Sequence, residues 1–490
     1  MNQQPLLLHS CRAAAGRISF ILLIFLSTGV TSQPAAVGPR IEQILSAESI
    51  RPAFWGIYVQ DLASGDVLFS QNPNHLFIPA SNQKILTSAA ALDALGSDYR
   101  YRTVLYFDGA VTGSTLRGDL VIRGSGDPSF GSVFGGGPNP LRAWAKSLAE
   151  MGVTRVEGRI VGDDDVFDDR AYGEGWDIDY VVTQSSRLLG VSAGGLSSND
   201  NVVEVKIVAA GAGNAPEITM RPPGFLAVEN GLMTANRRRG ISVSTARSLG
   251  GESISLQGSI PRSYEGTIVM PVTNPTAFTV NSFRSYLQDL GVDVDADAVD
   301  IDDLAEFEYS TEMPLFVHVS RPLAEILQTV NKESNNFYAD QVFRSFSGGG
   351  SAAGGEQRIK GLLQRAGAST DGLDFNDGSG LSRKNLVSPE AMTKLLAYMY
   401  KHPEREAFLG SLAQGGERQS TLQHRLHNLP VRAKTGSLEY VRALSGYAST
   451  PDGRTLAFSI FANHFSGPSY QVTQTIDRIV MELASAGQGS

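Results

Sequence analysis

The chain reads as a mixed α/β (α+β) protein whose core is interrupted by β-rich insertions, and three features predict this. Apolar Ile85, Ala89 and Leu92 recur at helical spacing after Pro79. From about Gly96 the texture changes to short apolar runs broken by glycine turns. Helical and strand-like runs then alternate from Leu323 onward. A chain of 490 residues exceeds one compact core, so two or more domains are expected.

Hydrophobic residues at 42% and charged ones at 19% suit an ordinary globular chain. The formal charge of −9 argues against nucleic acid as a partner. Arg12 and Arg17 precede an apolar run from Ile18 to Leu26, and Val30-Thr31-Ser32 supplies small residues. Residues 1–32 are therefore expected to form a signal peptide cleaved near Ser32, an uncleaved anchor being the alternative. Cys11, the single cysteine, leaves with that leader. Disulfides, cysteine nucleophiles and thiolate metal sites are thereby excluded from the mature chain.

Taken in order, Ile41 to Ala47 is expected to be a short helix. Strand-like Phe54 to Val59 and Val67 to Phe69 flank a hairpin turn at Ala63 to Asp66. After the Pro79 helix come strands at Thr103 to Phe107 and Gly118 to Ile122, a helix from Leu141 to Met151, and a strand at Val156 to Val161. The run Gly124-Ser125-Gly126-Asp127-Pro128 lacks the Lys-Ser/Thr ending of a phosphate loop and opens no helix, so it reads as a turn. Residues 194–265 look all-β, with strands at Val202 to Val208 and Ser253 to Leu256; within them Arg237-Arg238-Arg239 reads as a solvated loop. A helix at Ala277 to Leu290 and an acidic linker at Asp293 to Asp303 follow. Helices near Leu323 to Leu327, Gln357 to Ala366 and Pro389 to Tyr400, strands at Ala443 to Ala448 and Thr455 to Ala462, and a helix at Val472 to Ala484 close the chain.

Ser81 and Lys84 stand three apart at the start of the Pro79 helix, hence on one face. A serine hydroxyl is a poor nucleophile until a neighbouring base takes its proton, which an adjacent amine can do. No other lysine has a serine three positions earlier, although a capped helix with a solvated lysine gives the same tetrapeptide. Lys434-Thr435-Gly436, followed by Ser437, occurs in a strand-like context. A lysine, a hydroxyl and a glycine on an edge strand can bind a carboxylate and let a peptide pair alongside; an edge strand with a protective lysine is the plainer reading. Ser334-x-Asn336 is the weakest signal, because Ser70-Gln71-Asn72 and Ser197-Ser198-Asn199 share its pattern.

The order and context of the three motifs resemble the penicillin-recognising serine enzymes. The runs Asn331 to Ala339, Asp377-Gly378-Ser379-Gly380-Leu381-Ser382 through Pro389, and Ala433 to Leu438 followed by Leu444-Ser445-Gly446-Tyr447 sharpen this. They look like the D-alanyl-D-alanine carboxypeptidase/endopeptidases, the class C low-molecular-mass penicillin-binding proteins. The resemblance implies a serine transpeptidase/β-lactamase-like core, residues 33–96 plus 309–490. It further implies two nested β-rich insertions, 97–193 with 266–308, and 194–265 within them. Departures are Gly415 to Leu422, where the family carries an Asp-Gly-Thr-Leu run, and a looser stretch from Gln184 to Asn201.

That family's chemistry implies Ser81 as nucleophile, Lys84 as base, and Ser334, Asn336 and Lys434 as its catalytic partners. Burial and the Lys434 cation are expected to disfavour the charged form of Lys84. Thr435, Gly436 and Ser437 would hold the substrate, and Asp163 would lie near the substrate's side-chain amine, a solvated acidic turn being the alternative there. The implied partners are peptidoglycan peptides, with β-lactam antibiotics as covalent inhibitors, in the periplasm and without a cofactor. A β-lactamase-like hydrolase and a non-catalytic wall-binding scaffold are the rival readings. A metal hydrolase is disfavoured: His424 and His427 stand three apart on an expected helix, but no His-Glu-x-x-His pattern occurs. The sequence assigns no oligomeric state.

Overall fold

A computed structural model describes residues 37–487, apart from 47–52, 133–137, 183–190, 222, 224, 237–239, 248–250 and 252. The leader, Cys11 and Arg237-Arg238-Arg239 lie outside the described residues. No helix among the described residues is long and apolar enough to cross a membrane.

The core is a six-stranded antiparallel sheet drawn from both ends of the chain. Its order is Ala413–Gln414, Val431–Leu438, Val441–Ser449, Thr455–Asn463, Phe54–Asp61, Val67–Gln71. Phe54–Asp61 pairs along its whole length with Thr455–Asn463, from Phe54 opposite Asn463 to Asp61 opposite Leu456. Both sheet faces are covered, which is why these strands are apolar on successive residues rather than alternating. Helices Val37–Leu45 and Ser469–Ala484 close one face through Ile41, Val472, Ile476 and Val480. On the other face lie Gln83–Leu95, Leu323–Asn331, Asn336–Ser345, Ala352–Arg365, Pro389–Met399 and Arg405–Ser411.

Gln83–Leu95 is buried along most of its length, from Gln83 to Leu92. A helix apolar all round needs neighbours on every side, and its few polar groups need partners. Asn331 supplies one link, donating to the hydroxyls of Ser88 and Ser411, each at 2.9 Å.

Between the two halves of this core the chain builds a seven-stranded sheet and two three-stranded sheets. The larger one centres on Arg102–Thr112 and Thr115–Arg123, with helices Pro140–Glu150 and Pro275–Asp289 packed on it through Trp144, Phe283 and Leu287. The two smaller sheets share one core, in which Val203, Val205, Leu232 and Leu256 meet.

Several expectations shift. Glu265–Pro271 pairs with Val202–Val208, so the smaller sheets run past residue 265. Pro314–Val319 pairs with Arg102–Thr112, so the seven-stranded sheet runs past residue 308. The supposed acidic linker holds two strands, Asp293–Val294 and Ala298–Asp300, paired in parallel with Arg155–Glu157 and Ile160–Asp163. Val156 to Val161 is two strands broken at Gly158, where a Cβ would meet the Gly118 carbonyl oxygen at 2.0 Å. His424 and His427 lie in turns, not on a helix.

Candidate active site

Ser81 does not sit inside a regular α-helix. It occupies a 3-10 turn, Ala80–Asn82, that runs directly into Gln83–Leu95. Ala80 has a φ of 48°, a left-handed conformation that costs an alanine about 1 kcal/mol or more. The turn is clamped from two sides. Gly380 lies so close that a Cβ there would meet the Ala80 carbonyl oxygen at 1.9 Å. A Cβ on Gly436 would meet the Pro79 carbonyl oxygen at 2.7 Å. Asn82 completes the clamp by donating from Nδ2 to the Lys434 carbonyl oxygen at 2.8 Å.

One helical turn on, Lys84 is fully buried. Its Nζ donates to Ser81 Oγ at 3.0 Å, to Asn336 Oδ1 at 2.7 Å and to the Ser379 carbonyl oxygen at 2.6 Å. Burial brings Lys84 down to about 8, against the pull of the Asp340 and Asp377 carboxylates. The Lys434 ammonium, also fully buried, is pushed far below its ordinary range by burial and then by Lys84.

Lys434 Nζ donates to Ser334 Oγ at 2.9 Å and to the Thr435 carbonyl oxygen at 2.9 Å. Ser334 precedes helix Asn336–Ser345 with a φ of 63°, the bend that turns its hydroxyl toward the strand while Asn336 faces Lys84. Two short hydrogen-bonded chains thus meet here, Ser81–Lys84–Asn336 and Ser334–Lys434.

Thr435 is half-buried, Gly436 buried and Ser437 exposed on strand Val431–Leu438. One side of this strand pairs with Val441–Ser449 along its length. On the other side Ala413–Gln414 covers only Ala433 and Arg432. From Lys434 to Leu438 that edge is free of any described strand, which is the geometry an added peptide strand needs.

Asp163 is placed differently. It ends strand Ile160–Asp163 in the inserted sheet, buried rather than on a solvated turn. Its Oδ2 accepts from the Tyr309 hydroxyl and stands 3.5 Å from Arg123 Nε. It makes no described contact with the Ser81 network.

Sequence reasoning missed the supports of the site. Asp377 Oδ1 accepts from Gly380 N at 2.8 Å and Asn385 Nδ2 at 2.7 Å, while its Oδ2 accepts from Ser382 N at 2.6 Å. Trp176, from the inserted region, also donates to Asp377 Oδ2 at 2.7 Å. The run Asp377 to Ser382 was visible as a motif, yet nothing in it marked the Ser379 carbonyl as a partner of Lys84. As for metals, Asp164, Asp300 and Asp302 bring carboxylate oxygens within 4.8 Å of one another in the inserted sheet. A cluster of acids names no ligand by itself.

Comparison with known proteins gives the family. The model of the D-Ala-D-Ala carboxypeptidase 3 (S13) family matches residues 38–484. The chain belongs to that family. A D-alanyl-D-alanine carboxypeptidase from Actinomadura is 32% identical over 460 residues, covering 91% of this chain and 84% of that protein. The D-alanyl-D-alanine carboxypeptidase DacB of Haemophilus influenzae is 25% identical, covering 84% of this chain and 85% of that one. The crystal structure of penicillin binding protein 4 from Haemophilus influenzae superposes with a TM-score of 0.76 at 23% identity, covering 91% of this chain and 99% of that one. The S13 peptidase described here is thus a serine DD-peptidase of the class C low-molecular-mass penicillin-binding type, with the penicillin-recognising fold.

Proposed function

We propose that this S13 peptidase cleaves the bond between two D-alanines of peptidoglycan stem peptides through an ester on Ser81, and that β-lactams acylate the same hydroxyl. The observation that carries this reading is the full set of partners around buried Lys84, with Ser81 Oγ at 3.0 Å. An ammonium spends all three N–H donors on Ser81, Asn336 and Ser379. Neutral Lys84 keeps two of them for Asn336 and Ser379 and turns its lone pair to the Ser81 hydroxyl. Burial, by bringing Lys84 down to about 8, makes that neutral form accessible close to neutral pH.

Ser81 Oγ then bonds to the carbonyl carbon as its proton passes to Lys84 Nζ. Collapse of the tetrahedral adduct breaks the C–N bond, and Ser334, hydrogen-bonded to Lys434, relays a proton to the leaving amine. Water then bonds to the ester carbonyl carbon as one of its protons passes to Lys84 Nζ, and the C–O bond to Ser81 breaks as Ser81 Oγ takes that proton back. Backbone N–H groups of Ser81 and Ser437 are the proposed oxyanion donors; losing one such donor typically costs about 3–4 kcal/mol. The substrate tail pairs along Lys434 to Leu438, its carboxylate against Thr435. Asp163 takes the side-chain amine in this reading, by exchanging its bond to Tyr309 for one to substrate.

The organisation proposed with this activity is a catalytic region from both chain ends, with insertion edges near residues 271 and 319 in place of 265 and 308. Export is part of the same proposal, with the leader removed near Ser32 and the periplasm as destination.

Incubation with purified muropeptides tests the activity: released D-alanine reports carboxypeptidase action and cleaved cross-links report endopeptidase action. A penicilloyl adduct that turns over faster than a D-Ala-D-Ala peptide would point to a β-lactamase instead. Absence of both products and of any adduct would point to a scaffold.

A further inference from the structure

The chemistry above uses Asn336 but leaves unused the carboxylate four residues later on the same helix face, Asp340. Asp340 is buried, and its Oδ1 accepts from the backbone N–H groups of Gly378 at 2.8 Å and Ser379 at 3.0 Å. The same two residues turn their carbonyls to the nucleophile helix. Gly378 accepts from Thr87 Oγ1 at 2.8 Å and Ser379 accepts from Lys84 Nζ at 2.6 Å. Gly378 itself is pressed against Asn336–Ser345, where a Cβ would meet the Ala339 carbonyl oxygen at 2.3 Å. One carboxylate therefore fixes the segment that fixes Lys84.

Its second oxygen tells more. The Ser379 hydroxyl stands near enough to favour the charged form of Asp340, yet among the described residues no well-formed hydrogen bond reaches Oδ2. A purely structural clamp for two N–H groups needs an acceptor, not a buried charge with an open oxygen, since burying such a group is costly. An asparagine would have served.

We propose that Asp340 is a positioning residue for the Ser81–Lys84 pair: it holds the Gly378–Ser379 segment against Lys84 Nζ, and its carboxylate is the buried counter-charge of the Lys84 ammonium. This rests on the reading of Lys84 as base. The titratable groups around the pair are Asp377 from the glycine-rich loop, Lys434 from the strand, and Arg344 from Asp340's own helix, itself bonded to Asp168. Asp377 differs from Asp340 in having both oxygens bonded. Burial and Asp377 lift Asp340 to about 7, close to Lys84 at about 8, so the two protons are held jointly.

The test follows the rate of acylation by a fluorescent penicillin against pH in four full-length proteins: unsubstituted, Asp340→Asn, Asp340→Glu and Lys84→Ala. Asp340→Asn keeps an acceptor for both N–H groups and removes the charge. Lys84 then loses its counter-charge, so the midpoint of the rising limb moves down by about one pH unit or more. Asp340→Glu keeps the charge and leaves the midpoint within a few tenths of a unit, whatever it does to the rate. An equal loss of rate at every pH in Asp340→Asn, with the midpoint unmoved, overturns the proposal and leaves a structural acceptor. Should the asparagine variant not fold, Asp340→Ser is read in the same way. The 13Cε signal of Lys84 in the unsubstituted protein gives a further reading, where one step without an Asp340-linked inflection also overturns it. The base reading fails separately, by acylation of Lys84→Ala at the unsubstituted rate.

Discussion

Asn82 and Lys434, far apart in sequence, are joined by a buried hydrogen bond of 2.8 Å from the Asn82 amide to the Lys434 carbonyl. The bond locks the turn bearing Ser81 to the strand bearing Lys434, and so sets the separation of the two lysine-centred chains. Neither residue's own chemistry requires it. Asn82→Ala leaves the buried Lys434 carbonyl unpaired, at a cost of about 1–3 kcal/mol. Thermal denaturation should show that loss, and β-lactam labelling should slow by about tenfold or more as the turn and strand drift apart.

The position of Lys84 near 8 sets the pH dependence. In the proposed chemistry its neutral form is the reactive one, and protonation removes it. Acylation should therefore rise about tenfold per pH unit below about 8 and level off above it. Stopped-flow labelling between pH 5 and 9 checks the slope; a rate flat across that range contradicts Lys84 as base.

Gly380 carries a φ of 86° and leaves no room for a Cβ beside Ala80. Gly453, with a φ of 87°, has open space around it. Alanine at Gly453 should cost only the left-handed penalty, about 1 kcal/mol, with labelling unchanged. Alanine at Gly380 should cost clearly more and reduce labelling by about a hundredfold, because the turn holding Ser81 must move. Equal effects at the two sites would remove Gly380 from the account.

Ser334 is held by Lys434 at 2.9 Å and is only half-buried. Ser334→Ala should leave the melting temperature within a few degrees while slowing D-alanine release by about 10²–10⁴-fold, the usual range for a lost proton relay. Steady-state turnover of a D-Ala-D-Ala peptide measures it.

Trp176 reaches from the inserted region to Asp377 at 2.7 Å. Trp176→Phe keeps most of the ring packing and deletes the donor. Asp377 retains three other donors, so the expected effect is a several-fold fall in acylation with little loss of stability.

How far the sequence could be read depends on the range of each interaction. Ser81 and Lys84 are neighbours on one turn, so their pairing is a local fact that spacing reveals. Ser334, Asn336 and Lys434 were readable as motifs in order, though no local rule says that Asn336 meets Lys84 or that Ser334 meets Lys434. Asp377 stood in a legible motif with no role attached to it, and Asp340 and Asn82 gave no sign at all, because a polar side chain in a helix or loop looks the same whether buried or solvated. Their roles arise from contacts made only when distant segments meet.

The acidic stretch from Asp293 was misread for a different reason. Its aspartates alternate with Val292, Val294, Ala296 and Ala298, the period of a strand, but their charge suggested a solvated linker. Arg155 pairs with Asp295 at 2.6 Å and Arg284 lies 3.7 Å from Asp297, which lets the charged side face outward while Val294 is buried. The 3-10 turn at Ser81 was hidden too. Propensity favours a plain helix after Pro79, and only the clamp of Gly380, Gly436 and Asn82 explains an alanine with a φ of 48°.

The central claim is that Ser81 is the acylated group. Intact-mass analysis after exposure to benzylpenicillin, followed by peptide mapping, addresses it directly. One penicilloyl group per chain, on the peptide containing Ser81 and absent from Ser81→Ala, is the predicted result. An adduct on any other residue, or an undiminished adduct in Ser81→Ala, would contradict it.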